Sequence, residues 1–184
     1  MLILASQSPR RSELLQQAGI PFISCPANVD ETVLDGESPE SYVKRVAEEK
    51  APAVEAGPAD IVLGADTAVV IDGQILGKPR DPADALRMLE ALSGREHAVL
   101  TGICLRRATD TILDVAETRV WFLPLTQREL HEYVATREPM DKAGAYAIQG
   151  LASKFIRQIE GSYTNVVGLP IELVYQYLRR WDDS

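Results

Sequence analysis

The chain is poor in the residues that build most metal-centred and nucleophilic sites. It has 2 histidines and 2 cysteines among 184 residues. Cys25 and Cys104 stand far apart, with no Cys-x-x-Cys spacing and no Cys/His cluster. That excludes a zinc finger or a thioredoxin-like motif and leaves free thiols in a reducing compartment. His97 and His131 have no partner nearby in sequence, and each reads as structural or exposed. No Ser-His-Asp or Cys-His arrangement suggests itself. Positive charge is also in deficit: 19 Lys and Arg face 27 Asp and Glu, a formal net charge of −8. Without a basic stripe, coating nucleic acid or an anionic membrane is excluded. No apolar run approaches the roughly 20 residues of a membrane span. The first five residues are too short for a secretory leader's apolar region, so a soluble cytoplasmic protein is expected. The 12 glycines and 11 prolines are scattered without a period, which removes collagen-like and low-complexity readings.

What is present is an ordinary globular mixture, 46% hydrophobic and 25% charged. The length suits one domain, residues 1–184, with room for two lobes and a core that needs no disulfide. Residues 2–5 read as a buried strand and 22–25 as a second. Ser8-Pro9, Ser38-Pro39 and Asp81-Pro82 each open a helix, with a capping side chain followed by proline at the first helical position. Residues 61–65 read as a buried strand and 68–71 as another, with a hairpin signal at Asp72-Gly73. Residues 97–105 and 112–123 read as two long strands, Thr126-x-x-Glu129 as a capping box, 155–159 as a strand, and Pro170 onward as a last helix. Alternating strands and helices interrupted by hairpins predict an α/β fold on a mixed sheet.

Four segments carry candidate chemistry. Ala5-Ser6-Gln7-Ser8-Pro9-Arg10-Arg11 joins a buried strand to a helix N-terminus, where backbone N–H groups, the helix dipole, the Ser6 and Ser8 hydroxyls and two guanidinium forks favour an anion such as phosphate. Asp66 lies in an apolar stretch, so its carboxylate needs a cation or a metal. Gly64 and Ala65 before it leave room for a ligand to approach, although a strand-end turn Asp is also a fair reading. Lys78 sits in Gly77-Lys78-Pro79-Arg80-Asp81-Pro82, where two prolines stiffen the loop; a plain surface cation fits as well. The small-residue run from Asp141 to Gly150 could hug a flat ligand, and the Gln149 amide offers both donors and an acceptor for a base edge. Glu31, after a strand end, and Lys50, at the end of the Ser38 helix, are weaker candidates. Ser162-Tyr163-Thr164-Asn165 is either a polar lip or a turn. Anion-binding groups with one or two carboxylates placed for a divalent metal suit phosphoanhydride hydrolysis.

Six motifs in order resemble those of the Maf family of nucleoside triphosphate pyrophosphatases. They are Ala5-Ser6-x-Ser8-Pro9-Arg10-Arg11, Gly64-Ala65-Asp66-Thr67, Gly77-Lys78-Pro79-Arg80-Asp81, Leu92-Ser93-Gly94, Asp141-Lys142-Ala143-Gly144-Ala145-Tyr146 with Ile148-Gln149-Gly150, and Val166-Val167-Gly168-Leu169-Pro170. The resemblance implies a fold like that of the Maf and inosine-triphosphatase proteins, with two α/β lobes on an elongated mixed sheet and a central cleft. It also implies cleavage between the α- and β-phosphates with Mg2+ or Mn2+, in a house-cleaning role. Asp66 takes the family's proton-acceptor position. Arg11, Glu31, Lys50 and Lys78 fall on its charged cleft positions, and Ser6 on the hydroxyl of its phosphate loop. Glu31 and Asp66 are the expected metal ligands.

Within the family, Arg10, Thr67 and Gln149 match the branch that acts on dTTP and UTP. The 7-methyl-GTP branch carries Trp, Gln and Glu at those places. A glutamine amide suits the N3–H donor and O4 acceptor of uracil or thymine, whereas a glutamate suits guanine. The expected partner is a nucleoside triphosphate, and a homodimer is the expectation by base rate. The competing expectations are a non-catalytic nucleotide-binding regulator of cell division and a 7-methyl-GTP-directed pyrophosphatase.

Overall fold

The computed structural model describes residues 1–182. Its strands are β1 (Leu2–Ala5), β2 (Phe22–Ser24), β3 (Ile61–Ile71), β4 (Gln74–Leu76), β5 (Glu96–Arg107), β6 (Asp110–Phe122) and β7 (Ile156–Glu160). Its helices are α1 (Pro9–Gln17), α2 (Pro39–Lys50), α3 (Pro82–Leu92), α4 (Gln127–Ala135), α5 (Tyr163–Val167) and α6 (Ile171–Asp182). The strands form one sheet in the order β2-β1-β3-β5-β6-β7, with β4 added on β3. β1 runs parallel to β2 and β3, whereas β3–β4 and β6–β7 are antiparallel. The fold is therefore α/β on a mixed sheet, as the pattern of elements predicts. Among the described residues no helix is long and apolar enough to cross a membrane.

Local chemistry explains most boundaries. The Ser38 hydroxyl accepts from Ser41 N at 3.2 Å, and the Asp81 carboxylate accepts from Asp84 N at 2.8 Å, each ahead of a proline-led helix. Both arms of the Thr126/Glu129 capping box are made. Ser8 is the exception: its side chain caps nothing, and its own N–H donates to Ser6 Oγ at 3.1 Å. The Asp72-Gly73 turn is present with both residues in the left-handed region, and the short β4 behind it was too brief to show a period of its own. β3 passes unbroken through Asp66 where the sequence suggested two strands. The last strand starts one residue later than expected, because Phe155 closes a 3-10 turn. Residues 163–165, expected as a lip or a turn, open α5. Asn165 there is buried, and its amide donates to Val99 O at 3.0 Å and Thr118 Oγ1 at 2.9 Å.

The chain divides into two compact units. The first comprises Met1–Thr67, Thr101–Ala116 and the stretch from Gly168. One of its core clusters gathers Ile3, Ala5, Ala27, Ala47, Ala51, Val62 and Cys104. The second comprises Ala68–Leu100 and Glu117–Val167, around a larger core that includes Leu89, Phe122, Tyr133, Tyr146 and Phe155. There the buried His97 ring places Nε2 2.7 Å from the Tyr146 hydroxyl and packs edge-on against Phe122 and Tyr146.

In the first unit, α2 sits on two glycines of neighbouring strands. A Cβ at Gly64 would lie 2.2 Å from the Ala47 carbonyl oxygen, and one at Gly102 would lie 2.2 Å from that of Val43. No side chain fits at either position. The space before Asp66, expected to admit a ligand, is filled by helix backbone, which corrects that expectation.

Two predictions follow from these packings. Gly64→Ala or Gly102→Ala should lower unfolding stability by roughly 1–3 kcal/mol or more in urea titration, the usual cost of overpacking. Gly77→Ala, whose Cβ meets nothing within 4 Å, should change it little. Burial pushes the His97 imidazole down to about 4 from 6.5. Its folded value lies below its unfolded one, so stability is full above about pH 6.5 and falls as pH drops towards 4. The stability difference between the wild type and His97→Gln should therefore shift by about 3 kcal/mol over that window, against the wild type.

Candidate active site

The site grows from strand register. β1 and β3 are parallel with Ala5 opposite Gly64, so the turn leaving β1 lies beside residues 65–67 of β3. Open α/β sheets place ligands at such carboxyl ends of parallel strands. Side chains alternate along a strand. Gly64 and Asp66 therefore face α2, and Thr67 faces the other way, towards α1.

A cation meets each of these neighbours. On the α2 side, the Lys50 ammonium donates to Asp66 Oδ1 at 2.8 Å and to the Ala65 carbonyl at 3.1 Å, and lies 2.7 Å from Glu31 Oε1. Its three N–H groups thus have three acceptors. Lys50 is 5% exposed and Asp66 6%, whereas the Glu31 side chain is 45% exposed. Lys50 does more than complement a helix dipole, because it gathers both candidate carboxylates. On the α1 side, the buried Arg11 donates through Nε to Gly168 O at 2.8 Å, through Nη1 to Ser6 Oγ at 3.0 Å and through Nη2 to Thr67 Oγ1 at 3.1 Å. Burial pushes its guanidinium down from the ordinary value, the charges of Asp66 and Glu31 oppose that, and Arg10 adds to it.

Six of the sequence candidates, Ser6, Arg11, Glu31, Lys50, Asp66 and Thr67, are thereby joined in the first unit. Ser8 and the half-buried Arg10 stand at the start of α1, beside Ser6. The Thr67 hydroxyl is engaged by Arg11, by Thr101 Oγ1 at 2.9 Å and by Gly168 O at 3.2 Å. Lys78 and Gln149 belong to the second unit, where both are exposed. Their two loops are linked by a hydrogen bond from Gly144 N to Gly77 O at 3.1 Å.

Sequence reasoning missed the residues that hold Glu31. It lies in a segment without regular structure, strapped to α2. The Tyr42 hydroxyl donates to the Glu31 carbonyl at 3.1 Å, and Arg45 donates to the Thr32 carbonyl at 3.0 Å and grips Glu37 at 2.7 and 2.9 Å. Tyr42 and Arg45 show in sequence only as members of an amphipathic helix. The Gly168 carbonyl was missed too, although its motif was visible.

Lys50→Met should leave Asp66 buried without its cation. Removing one partner of a buried pair typically costs about 3–5 kcal/mol. Urea titration should show that loss, and the double variant Lys50→Met/Asp66→Asn should recover much of it.

Comparison with known proteins agrees with this architecture. The Maf-like protein family model matches residues 1–181. A dTTP/UTP pyrophosphatase of Anaeromyxobacter dehalogenans (strain 2CP-C) is 55% identical over 97% of this chain and 93% of its own. One from Anaeromyxobacter sp. (strain Fw109-5) is 56% identical over 97% of this chain and 88% of its own. Among solved structures, the Staphylococcus aureus Ham1 protein matches with a TM-score of 0.55 over 97% of each chain at 14% identity, a likeness of fold. With its motifs in order and the match spanning nearly every residue, this chain belongs to the Maf-like protein family.

Proposed function

We propose that the chain is a nucleoside triphosphate pyrophosphatase that hydrolyses dTTP and UTP to the monophosphate and diphosphate. The observation that carries this reading is the buried Asp66 carboxylate held on Lys50 beside Glu31, next to the turn from β1 into α1, whose first residues include Arg10 and Arg11. A protein that only bound a triphosphate would gain nothing from a buried negative group there, which disfavours the regulator. The relatives named above support the same activity and the pyrimidine branch.

Arg10, Arg11 and the 6–8 turn take the triphosphate. Arg11 spends three N–H groups on the protein, and a guanidinium has five. Glu31 and Asp66, which share the Lys50 ammonium, would supply the hard oxygen donors, one exposed and one buried. That donor set fits Mg2+ or Mn2+, which commonly takes one or two carboxylates and completes its shell with substrate phosphates and water. When bound, the ion neutralises phosphate charge and acidifies a water. Asp66 accepts the proton of the water that attacks the α-phosphorus. The bond from that phosphorus to the bridging oxygen breaks, and diphosphate leaves with the charge that Lys50 and Lys78 offset. Thr67 and Gln149 select the base. We place the reaction in the cytoplasm, on a homodimer.

Asp66→Asn should lower kcat for UTP by 10²–10⁴, the usual range for general-base catalysis. Diphosphate release from UTP, dTTP, GTP and 7-methyl-GTP is the assay. Retention of more than about a tenth of wild-type kcat would remove the proton-acceptor role.

A further inference from the structure

The loop that carries Gln149 is fastened at its far end by a carboxylate with no part in the chemistry above. α4 closes with Thr136, whose hydroxyl donates to Tyr133 O at 2.6 Å and accepts from Glu138 N at 3.2 Å. Arg137 adopts φ 63°, and Pro139 follows Glu138. This reversal sends the Glu138 side chain to residues 150–151. Its Oε1 accepts from Leu151 N at 2.9 Å and from the Tyr133 hydroxyl at 3.0 Å, and its Oε2 accepts from Leu151 N at 3.1 Å.

Gly150 shows how close this contact is. Its backbone lies at φ −103° and ψ −155°, a conformation open to any residue. A Cβ there would nevertheless stand 2.2 Å from Glu138 Oε1. A side chain directly after Gln149 would therefore have to push the Glu138 carboxylate off Leu151. Upstream, the loop is pinned by the Gly144–Gly77 hydrogen bond and by Tyr146 on His97. An exposed Gln149 thus stands on a backbone held on both sides.

We propose that Glu138 is a positioning residue for Gln149, fixing the backbone from which its amide meets the base and thereby setting base selectivity. This rests on the reading of Gln149 as a base-selecting residue. An amide discriminates between base edges only when its donor and acceptor are held in register with them, so a loosened 149–151 turn loses selectivity before it loses turnover.

The test compares kcat/KM for UTP with that for GTP across a double-mutant cycle. Gln149→Ala should lower the UTP/GTP ratio about tenfold, the worth of a typical hydrogen bond. Glu138→Ala should reproduce that fall, and the double variant should fall no further than either single. Glu138→Gln keeps one acceptor oxygen and should retain most of the ratio. Gly150→Ala, which displaces the carboxylate from the other side, should match Glu138→Ala and serves in its place should Glu138→Ala not fold. An unchanged ratio in Gln149→Ala would overturn the reading of Gln149, and the proposal with it. A ratio lost in Gln149→Ala but kept in Glu138→Ala and Gly150→Ala would overturn the proposal alone, as would losses that multiply in the double variant.

Discussion

Backbone of α2 lying directly on the sheet is the contact from which the first unit's chemistry follows. At Gly64 and Gly102 there is no room for even one carbon. Two glycines on neighbouring strands therefore fix the height of α2 above the sheet and its position along it. Three residues on from Ala47, which covers Gly64, the same face of the helix presents Lys50. Two residues on from Gly64, the same face of β3 presents Asp66. A helix step of three and a strand step of two bring an ammonium and a carboxylate to 2.8 Å. With ordinary side chains at the glycine positions, the helix would ride higher and that meeting would fail.

Such closeness is worth keeping because the groups involved are costly to bury. A carboxylate or ammonium removed from water must be repaid in full by partners. Lys50 meets that demand with three acceptors and Arg11 with three donors in use. The two cations arrive from opposite faces of one strand and end beside consecutive residues, Asp66 and Thr67. A buried charge satisfied in this way is also immobile. Immobile charges are what phosphoryl chemistry uses, since the stabilising groups then need no rearrangement as charge develops.

Legibility in the sequence followed range. The caps at Ser38, Asp81 and Thr126 act on N–H groups three residues away, so a window of four residues contained the whole interaction. Asp66 was legible as buried and in need of a cation, because its neighbours are apolar. Its partner was not, since Lys50 reaches it only through helix-on-sheet packing. Gly64 was misread for the same reason: a missing side chain shows that something approaches, but a helix and a ligand leave the same mark. At Ser8 the expected cap is not made, and the Ser6 hydroxyl two residues earlier accepts from the Ser8 N–H, ahead of the helix. Glu138 was invisible because a glutamate after a helix end looks like solvent-facing charge, and its contact with Leu151 spans 13 residues.

The same logic gives Arg11 a duty in the fold beside the phosphate binding proposed for it. Thr67, Thr101 and Gly168 are the residues at which the chain leaves or re-enters the first unit. They are tied to one another by the Thr67 hydroxyl, and Arg11 binds Thr67 and Gly168 directly. Arginine suits this position better than lysine, because a planar fork addresses several acceptors at set angles while keeping N–H groups for an anion. Lysine would supply the charge from a single nitrogen, and with three acceptors met it would have no N–H left for an anion. The arginine at 11 is therefore required twice over, by the fold for its geometry and by the proposed reaction for its charge. Thr67 is bound to the same requirement. A glutamine there, as in the 7-methyl-GTP branch, would move the acceptor on which Arg11 rests as well as alter any contact with the base. In the proposed reaction, a change of base contact made at Thr67 would therefore also disturb Arg11, through the hydrogen bond the two share.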